Sequence, residues 1–198
     1  MKIAIVLKLE KKVQQKIQNL KNIFKKKHKK YLYADDFPHL TLLTLNTNLR
    51  DHQLKKVNFR ISISNIKIKI LKPHVFKNDL LTGGNTFFYK VYKNKKLLEL
   101  QLYMANKFKK YIKNTKINIF NKKTLEYKSF KKYGFPFIGN HWIPHVSICS
   151  VLDKKINNIA KTKFISSKFN SHFYVNKLFL CSVKKNSLLK IKEIKFNV

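Results

Sequence analysis

The chain has 198 residues, 44 basic against 9 acidic residues for a formal net charge of +35, a hydrophobic fraction of 44% and an aromatic fraction of 13%. A disordered chain of such charge lacks this much Ile, Leu, Phe and Tyr, so a folded protein of one domain over residues 1–198 is expected, large enough to enclose a site. No apolar run reaches the length of a membrane span and the first residues carry no small-residue cleavage site, so the expectation is a soluble cytoplasmic protein with no membrane partner.

Residues 2–9 read as a strand and 10–27 as a lysine-rich helix with Val13, Ile17, Leu20 and Phe24 on one face. A strand follows over 39–45 and a short helix over 48–57. Phe59, Ile61 and Ile63, then Ile66, Ile68 and Ile70, alternate with polar residues and predict a long strand over 58–71, the change of parity marking a bulge near Ser64 and Asn65. Gly83-Gly84-Asn85 signals a turn into a strand over 86–92, which leads to a helix over 95–112. The stretch 114–140 holds Gly134, Pro136 and Gly139 among Phe130, Tyr133, Phe135 and Phe137, and reads as a loop that faces a site or packs on a core. A strand over 143–151, a helix N-capped by Asp153 and running to 163, and strands over 173–183 and 189–196 joined by a turn at 184–187 complete the chain. Strands and helices without regular βαβ alternation predict an α+β fold of largely antiparallel sheet.

One six-residue pattern occurs twice: Phe37-Pro38-His39-Leu40-Thr41-Leu42 and Ile143-Pro144-His145-Val146-Ser147-Ile148. Side chains alternate along a strand, so His39 and Thr41 share one face, as do His145 and Ser147. Proline suits the first residue of a strand, which sets both histidines near solvent. Imidazole, with an ordinary pKa of about 6.5, serves as base in one copy and acid in another near neutral pH. The hydroxyls donate hydrogen bonds to non-bridging phosphoryl oxygens as charge develops there. These four residues suffice for phosphodiester chemistry.

Paired His-x-Thr/Ser-x motifs on strands about a hundred residues apart resemble those of the 2H phosphoesterase superfamily, which includes 2′-5′ RNA ligase-like proteins and cyclic phosphodiesterases. The resemblance spans nearly the whole chain. It implies two pseudo-symmetric α+β lobes of mainly antiparallel sheet, with flanking helices, around a central cleft that binds 2′,3′-cyclic phosphates or 2′-5′ linkages. It also implies an RNA, oligonucleotide or cyclic nucleotide substrate, with His39 and His145 as the acid/base pair and Thr41 and Ser147 as phosphate-binding hydroxyls. Which histidine is acid stays open. Hydrolysis is the expected reaction, with 2′-5′ ligation also open, by a monomer that needs no cofactor.

The blander readings weigh differently from residue to residue. The basicity is nearly all lysine, with Arg50 and Arg60 the sole arginines; it reads either as polyanion attraction or as coding bias. His141 and His145 stand four apart, but Pro144 disfavours the helix a metal pair needs, and the few acidic residues are scattered, so no metal is expected. Cys149 and Cys181 sit in apolar runs and read as buried small hydrophobes rather than a disulfide. His28, in the run Lys25–Lys30, reads as a solvated residue, and His52, His74 and His172 have no repeating context. Trp142, Tyr133 and Phe135 are candidates to stack on a base, with core packing as the other reading. The rival from another class is a non-catalytic RNA-binding module that holds a terminal phosphate in the same cleft.

Overall fold

The structure, a computed structural model, describes residues 1–113, 120–169, 172–184 and 187–196. β1 (Lys2–Lys8), β3 (His39–Asn46), β8 (Lys177–Lys184) and β9 (Ser187–Lys195) form one antiparallel sheet in the order β3-β1-β8-β9. β2 (Tyr31–Leu32), β4 (Ile66–Phe76), β5 (Asn85–Val91), β6 (His145–Val151) and β7 (His172–Val175) form a second, in the order β2-β6-β5-β4-β7. This is the expected α+β architecture. The helices are α1 (Lys11–Lys27), α2 (Asp51–Lys56), α3 (Lys95–Phe108), α4 (Leu125–Tyr133) and α5 (Asn158–Ser166).

The two halves repeat one unit. A strand leads to a helix and then to an antiparallel neighbour of that strand: β1, α1 and β3 in one case, β5, α3 and β6 in the other. α1 buries Val13, Ile17, Leu20 and Phe24, the stripe expected from the three-to-four-residue spacing, against β6 and α5. The Phe24 ring lies 4.8 Å from that of Phe87. α3 buries Leu97, Leu100, Met104 and Phe108 and packs on β3. One core holds Ile3, Ile5 and Leu7 of the first sheet together with Val146 and Ile148 of the second. Each such side chain contributes roughly 1.5–3 kcal/mol by leaving water, which makes the frame beneath both motif strands stiff.

Several boundaries differ from those expected. Residues 58–65 carry no ladder, because β7 begins to pair only at Ile66; the strand then runs past Leu71, and its irregularity lies between Ile70 and Pro73 rather than at Ser64 and Asn65. Pro73 stands opposite Tyr89 of β5 just past this irregularity, and beyond Lys69, the last residue of β4 paired with β7. The expected strand over 173–183 is two strands in different sheets, broken at Asn176. The stretch 114–140 contains α4, with Thr124 as N-cap accepting from the Tyr127 N–H and Gly134 closing the helix at φ +68°. Its residues 114–119, and 185–186 of the expected turn, lie outside the described residues. α5 is capped by Asn157, whose side chain accepts from the Ala160 N–H, and not by Asp153. Asp153 instead accepts from the ring of His28, which is 5% exposed and takes the Asn157 N–H on its other nitrogen. His28 is therefore a buried brace between α1 and α5 rather than a solvated residue. Cys149 and Cys181 are buried free thiols in separate sheets. Among the described residues no helix is long and apolar enough to cross a membrane.

Candidate active site

Alternation along β3 and β6 divides each motif between two environments. Leu40, Leu42, Val146 and Ile148 are fully buried in the core, whereas His39, Thr41, His145 and Ser147 are half-buried on the opposite faces. β3 is the edge of the first sheet, and it lies against β6 with Cα atoms within 8 Å, which brings the two motifs together across the junction of the sheets.

The two imidazoles are held alike. His39 Nδ1–H donates to the Phe37 carbonyl at 2.7 Å, and His145 Nδ1–H donates to the Ile143 carbonyl at 2.7 Å. The acceptor in each case is the carbonyl just before the motif proline, whose fixed φ restricts where that oxygen points. The proline thus aims a carbonyl as well as starting a strand. With Nδ1 committed as donor, Nε2 is the nitrogen left for a substrate, in the same tautomer at both sites.

A second symmetry was not legible in the motifs. Opposite His39 stands Lys8 and opposite His145 stands Lys90; opposite Thr41 stands Val6 and opposite Ser147 stands Phe88. Both pairings shift register immediately beyond, between Ile5 and Val6 and between Phe87 and Phe88. The extra residues are Leu42 and Ile148, the last of each six-residue pattern. A bulge adds local twist and re-aims the adjacent side chains, here the hydroxyl and histidine before it. Directly paired residues share a face, so each histidine has a lysine as its cross-strand neighbour. The signal was Val6-Leu7-Lys8 and Phe88-Tyr89-Lys90, each on the upstream strand that pairs with a motif strand.

The bulged Leu42 leaves its carbonyl without a ladder partner, and Gln101 of α3 supplies one. Its buried amide donates to Leu42 at 3.1 Å and to the Phe137 carbonyl at 2.9 Å, while its carbonyl accepts from the Gly139 N–H at 3.0 Å. One side chain thereby ties the first motif strand to the segment that leads into the second.

Burial, the Lys21 ammonium and the charge of His145 lower the His39 pKa from 6.5 to about 4, against the opposing Phe37 carbonyl. That His39 responds to His145 is a mark of their closeness. Burial also lowers His145, opposed by the Ile143 carbonyl and the Asp79 carboxylate. Lys21 is 1% exposed, donates to the Tyr33 carbonyl, and is itself lowered to about 8 by burial, with Asp36 opposing. Sequence periodicity placed no cation in the core side of α1.

The aromatic candidates divide. Trp142 is 3% exposed and Phe135 is 9% exposed, both within the core, so neither offers a free ring face for a base. Their burial corrects that expectation. Tyr133 is half-buried at the end of α4, with the Lys132 ammonium 5.0 Å from its ring. The rings that flank the catalytic candidates are Phe37, 5.4 Å from His39, and Phe88 and Phe76, 5.0 and 5.6 Å from His145, with His74 stacked 5.9 Å from Phe88. His141 Nε2 contacts the Pro136 carbonyl at 2.8 Å and the Ser129 hydroxyl at 3.2 Å, which pins α4 to the turn before β6. Among the described residues no three of His, Cys, Asp and Glu gather as a metal site.

Solved structures share this arrangement of sheets and helices. E. coli LigT in its apo form superposes with a TM-score of 0.60 at 11% identity, over 100% of this chain and 98% of that one. The chain has the LigT fold. TT0787 of Thermus thermophilus matches with a TM-score of 0.61 at 13% identity, over 99% of this chain and 98% of its own. A structure described as a phosphoesterase matches at 0.54 and 13% identity, over 100% and 98%. LigT has also been crystallised with phosphate and with 3′-AMP. No protein-family model matches the sequence, and no curated relative does.

Proposed function

We propose that the chain is a metal-independent phosphodiesterase of the 2H phosphoesterase superfamily. It acts on RNA or oligonucleotide phosphodiesters that involve a ribose 2′-oxygen, as a 2′,3′-cyclic phosphate or a 2′-5′ linkage. The observation that carries this reading is the identical presentation of two Nε2 atoms, on strands within 8 Å of each other, each beside a hydroxyl and a lysine. In hydrolysis one Nε2 takes a proton from water as the new O–P bond forms, and the other gives its proton to the ribose oxygen as the old P–O bond breaks. Thr41 and Ser147 donate to the non-bridging oxygens, and Lys8 and Lys90 stabilise their charge.

The surroundings divide the roles. His39, with its pKa lowered to about 4 beside Lys21, is neutral and serves as the base. Burial lowers His145 as well, but the Asp79 carboxylate opposes that shift, and a bound phosphate favours the proton in the same direction, so His145 serves as the acid. The 3′-AMP and phosphate complexes of LigT support a nucleotide substrate for this fold.

Incubation with 2′,3′-cyclic nucleotides and with 2′-5′ oligoadenylate, in EDTA, tests the reading. Turnover of either is expected. Activity that vanishes on chelation points instead to a metal-assisted nuclease, and binding without turnover to a non-catalytic module.

A further inference from the structure

The face of the second sheet that carries His145 continues well beyond the catalytic quartet. Register places Lys90 and Phe88 of β5 on it, opposite His145 and Ser147, and His74 and Phe76 of β4 opposite Phe88 and Thr86. The Phe76 and Phe88 rings stack at 4.0 Å. Farther along, Lys67 and Lys69 alternate with the buried Ile66, Ile68 and Ile70, so they point to the same face. Tyr92, two residues beyond Lys90, is tied by its N–H to the Lys69 carbonyl and is 57% exposed. Tyr174 of β7 pairs with Lys67 and is 59% exposed. Lys67, Lys69, Lys95, Lys96, Tyr92 and Tyr174 line a surface cavity of about 450 Å³ whose described lining includes no acidic residue. Lys96 is engaged with the Ser64 hydroxyl at 2.8 Å, and Lys95 lies 4.0 Å from Glu99 outside the cavity; Lys67 and Lys69 are exposed.

We infer that this face is a track for single-stranded RNA running from the scissile phosphate at His145, past Lys90, to the tyrosine and lysine cavity at Tyr92 and Tyr174. Alternating cations and exposed rings suit a single strand: ammonium groups follow the backbone, and rings take unpaired bases by stacking, worth about 1–3 kcal/mol per base. The surface charge complements a polyanion and is continuous with the catalytic cleft. From β6 to β7 the face is three strand spacings wide, roughly 14 Å, enough for on the order of two to four nucleotides. The track rests on the phosphodiesterase reading for its chemical end, and it names the substrate as an oligoribonucleotide rather than a lone cyclic nucleotide.

The test uses the full chain with a fluorescent oligoribonucleotide of six residues ending in a 2′,3′-cyclic phosphate, followed by anisotropy and by turnover, with a 2′,3′-cyclic mononucleotide as reference. Replacing both tyrosines (Tyr92→Ala with Tyr174→Ala) is expected to raise KM and Kd for the oligomer at least tenfold while mononucleotide turnover holds. The pair Lys67→Ala and Lys69→Ala is expected to weaken binding and flatten its salt dependence, by about 0.7 in slope for each phosphate no longer neutralised. Oligomer kinetics unchanged in both pairs, or heparin or duplex RNA competing as well as single strands, would overturn the track. Oligomer binding that falls in the tyrosine pair without any turnover in the wild type would leave the track standing and sink the phosphodiesterase reading.

Discussion

Gln101 donates its side-chain amide to the carbonyl of Leu42, the extra residue of the bulge beside Thr41, at 3.1 Å. Replacing it with leucine leaves the Leu42 and Phe137 carbonyls and the Gly139 N–H without their partner. Each buried group so stranded costs about 1–3 kcal/mol. Gln101→Leu should therefore lose at least about 3 kcal/mol of stability in urea unfolding, and its residual activity should fall through misaim of Thr41. A loss below about 1 kcal/mol would show that water replaces the amide.

Lys21 acts on His39 through its charge. In Lys21→Met the His39 pKa should rise, because a buried positive neighbour has gone. A base works only when unprotonated, so the acid limb of the pH–rate profile should move to higher pH in the same variant. NMR titration of the His39 ring measures the shift directly; an unmoved or lowered pKa would contradict the coupling.

Folding should also weaken in mild acid. Unfolded histidine takes up its proton near pH 6.5, while folded His39 resists until about pH 4. As pH falls across that window the unfolded state binds protons first, so stability drops with it. His39→Gln should flatten the loss between pH 6.5 and 4, read by denaturation at a series of pH values. A slope equal to that of the wild type would assign the acid loss to other groups.

Gly84 lies so close to the end of β6 that an added Cβ would stand 2.4 Å from the Val151 carbonyl oxygen. Gly83, at φ +75°, has nothing within 4 Å of that position. Gly84→Ala should cost more than Gly83→Ala, through crowding of about 1–3 kcal/mol against backbone strain of about 1–2 kcal/mol. Thermal unfolding of the two variants ranks them, and the reverse order would place the tight approach elsewhere.

The motif strands were legible because period-two alternation and a repeated Pro-His-x-hydroxyl pattern act within a few residues of chain. What failed to show depends on contacts between distant segments. The lysines opposite each histidine are set by register, and the bulges at Leu42 and Ile148 by how β1 and β5 pair with their neighbours. α4 escaped because it buries only Phe130, so its apolar period is faint. Its caps, Thr124 and Gly134, stand ten residues apart and were the better signal. The strand from 173 onward hid its break because only Asn176 and Lys177 interrupt the apolar run, yet the sheets on either side differ. Trp142 read as a stacking ring from its place next to the motif, but adjacency in sequence says nothing of which way an extended chain turns a side chain.

The most direct test is single-turnover cleavage of a 2′,3′-cyclic phosphate in EDTA by the wild type, His39→Ala, His145→Ala and the double variant, with circular dichroism to confirm folding. Each single change should lower the rate about 10²- to 10⁴-fold, and the double variant should lose less than the product of the two, because both rings act in one step. A folded His39→Ala or His145→Ala protein that cleaves at the wild-type rate would contradict the two-histidine site.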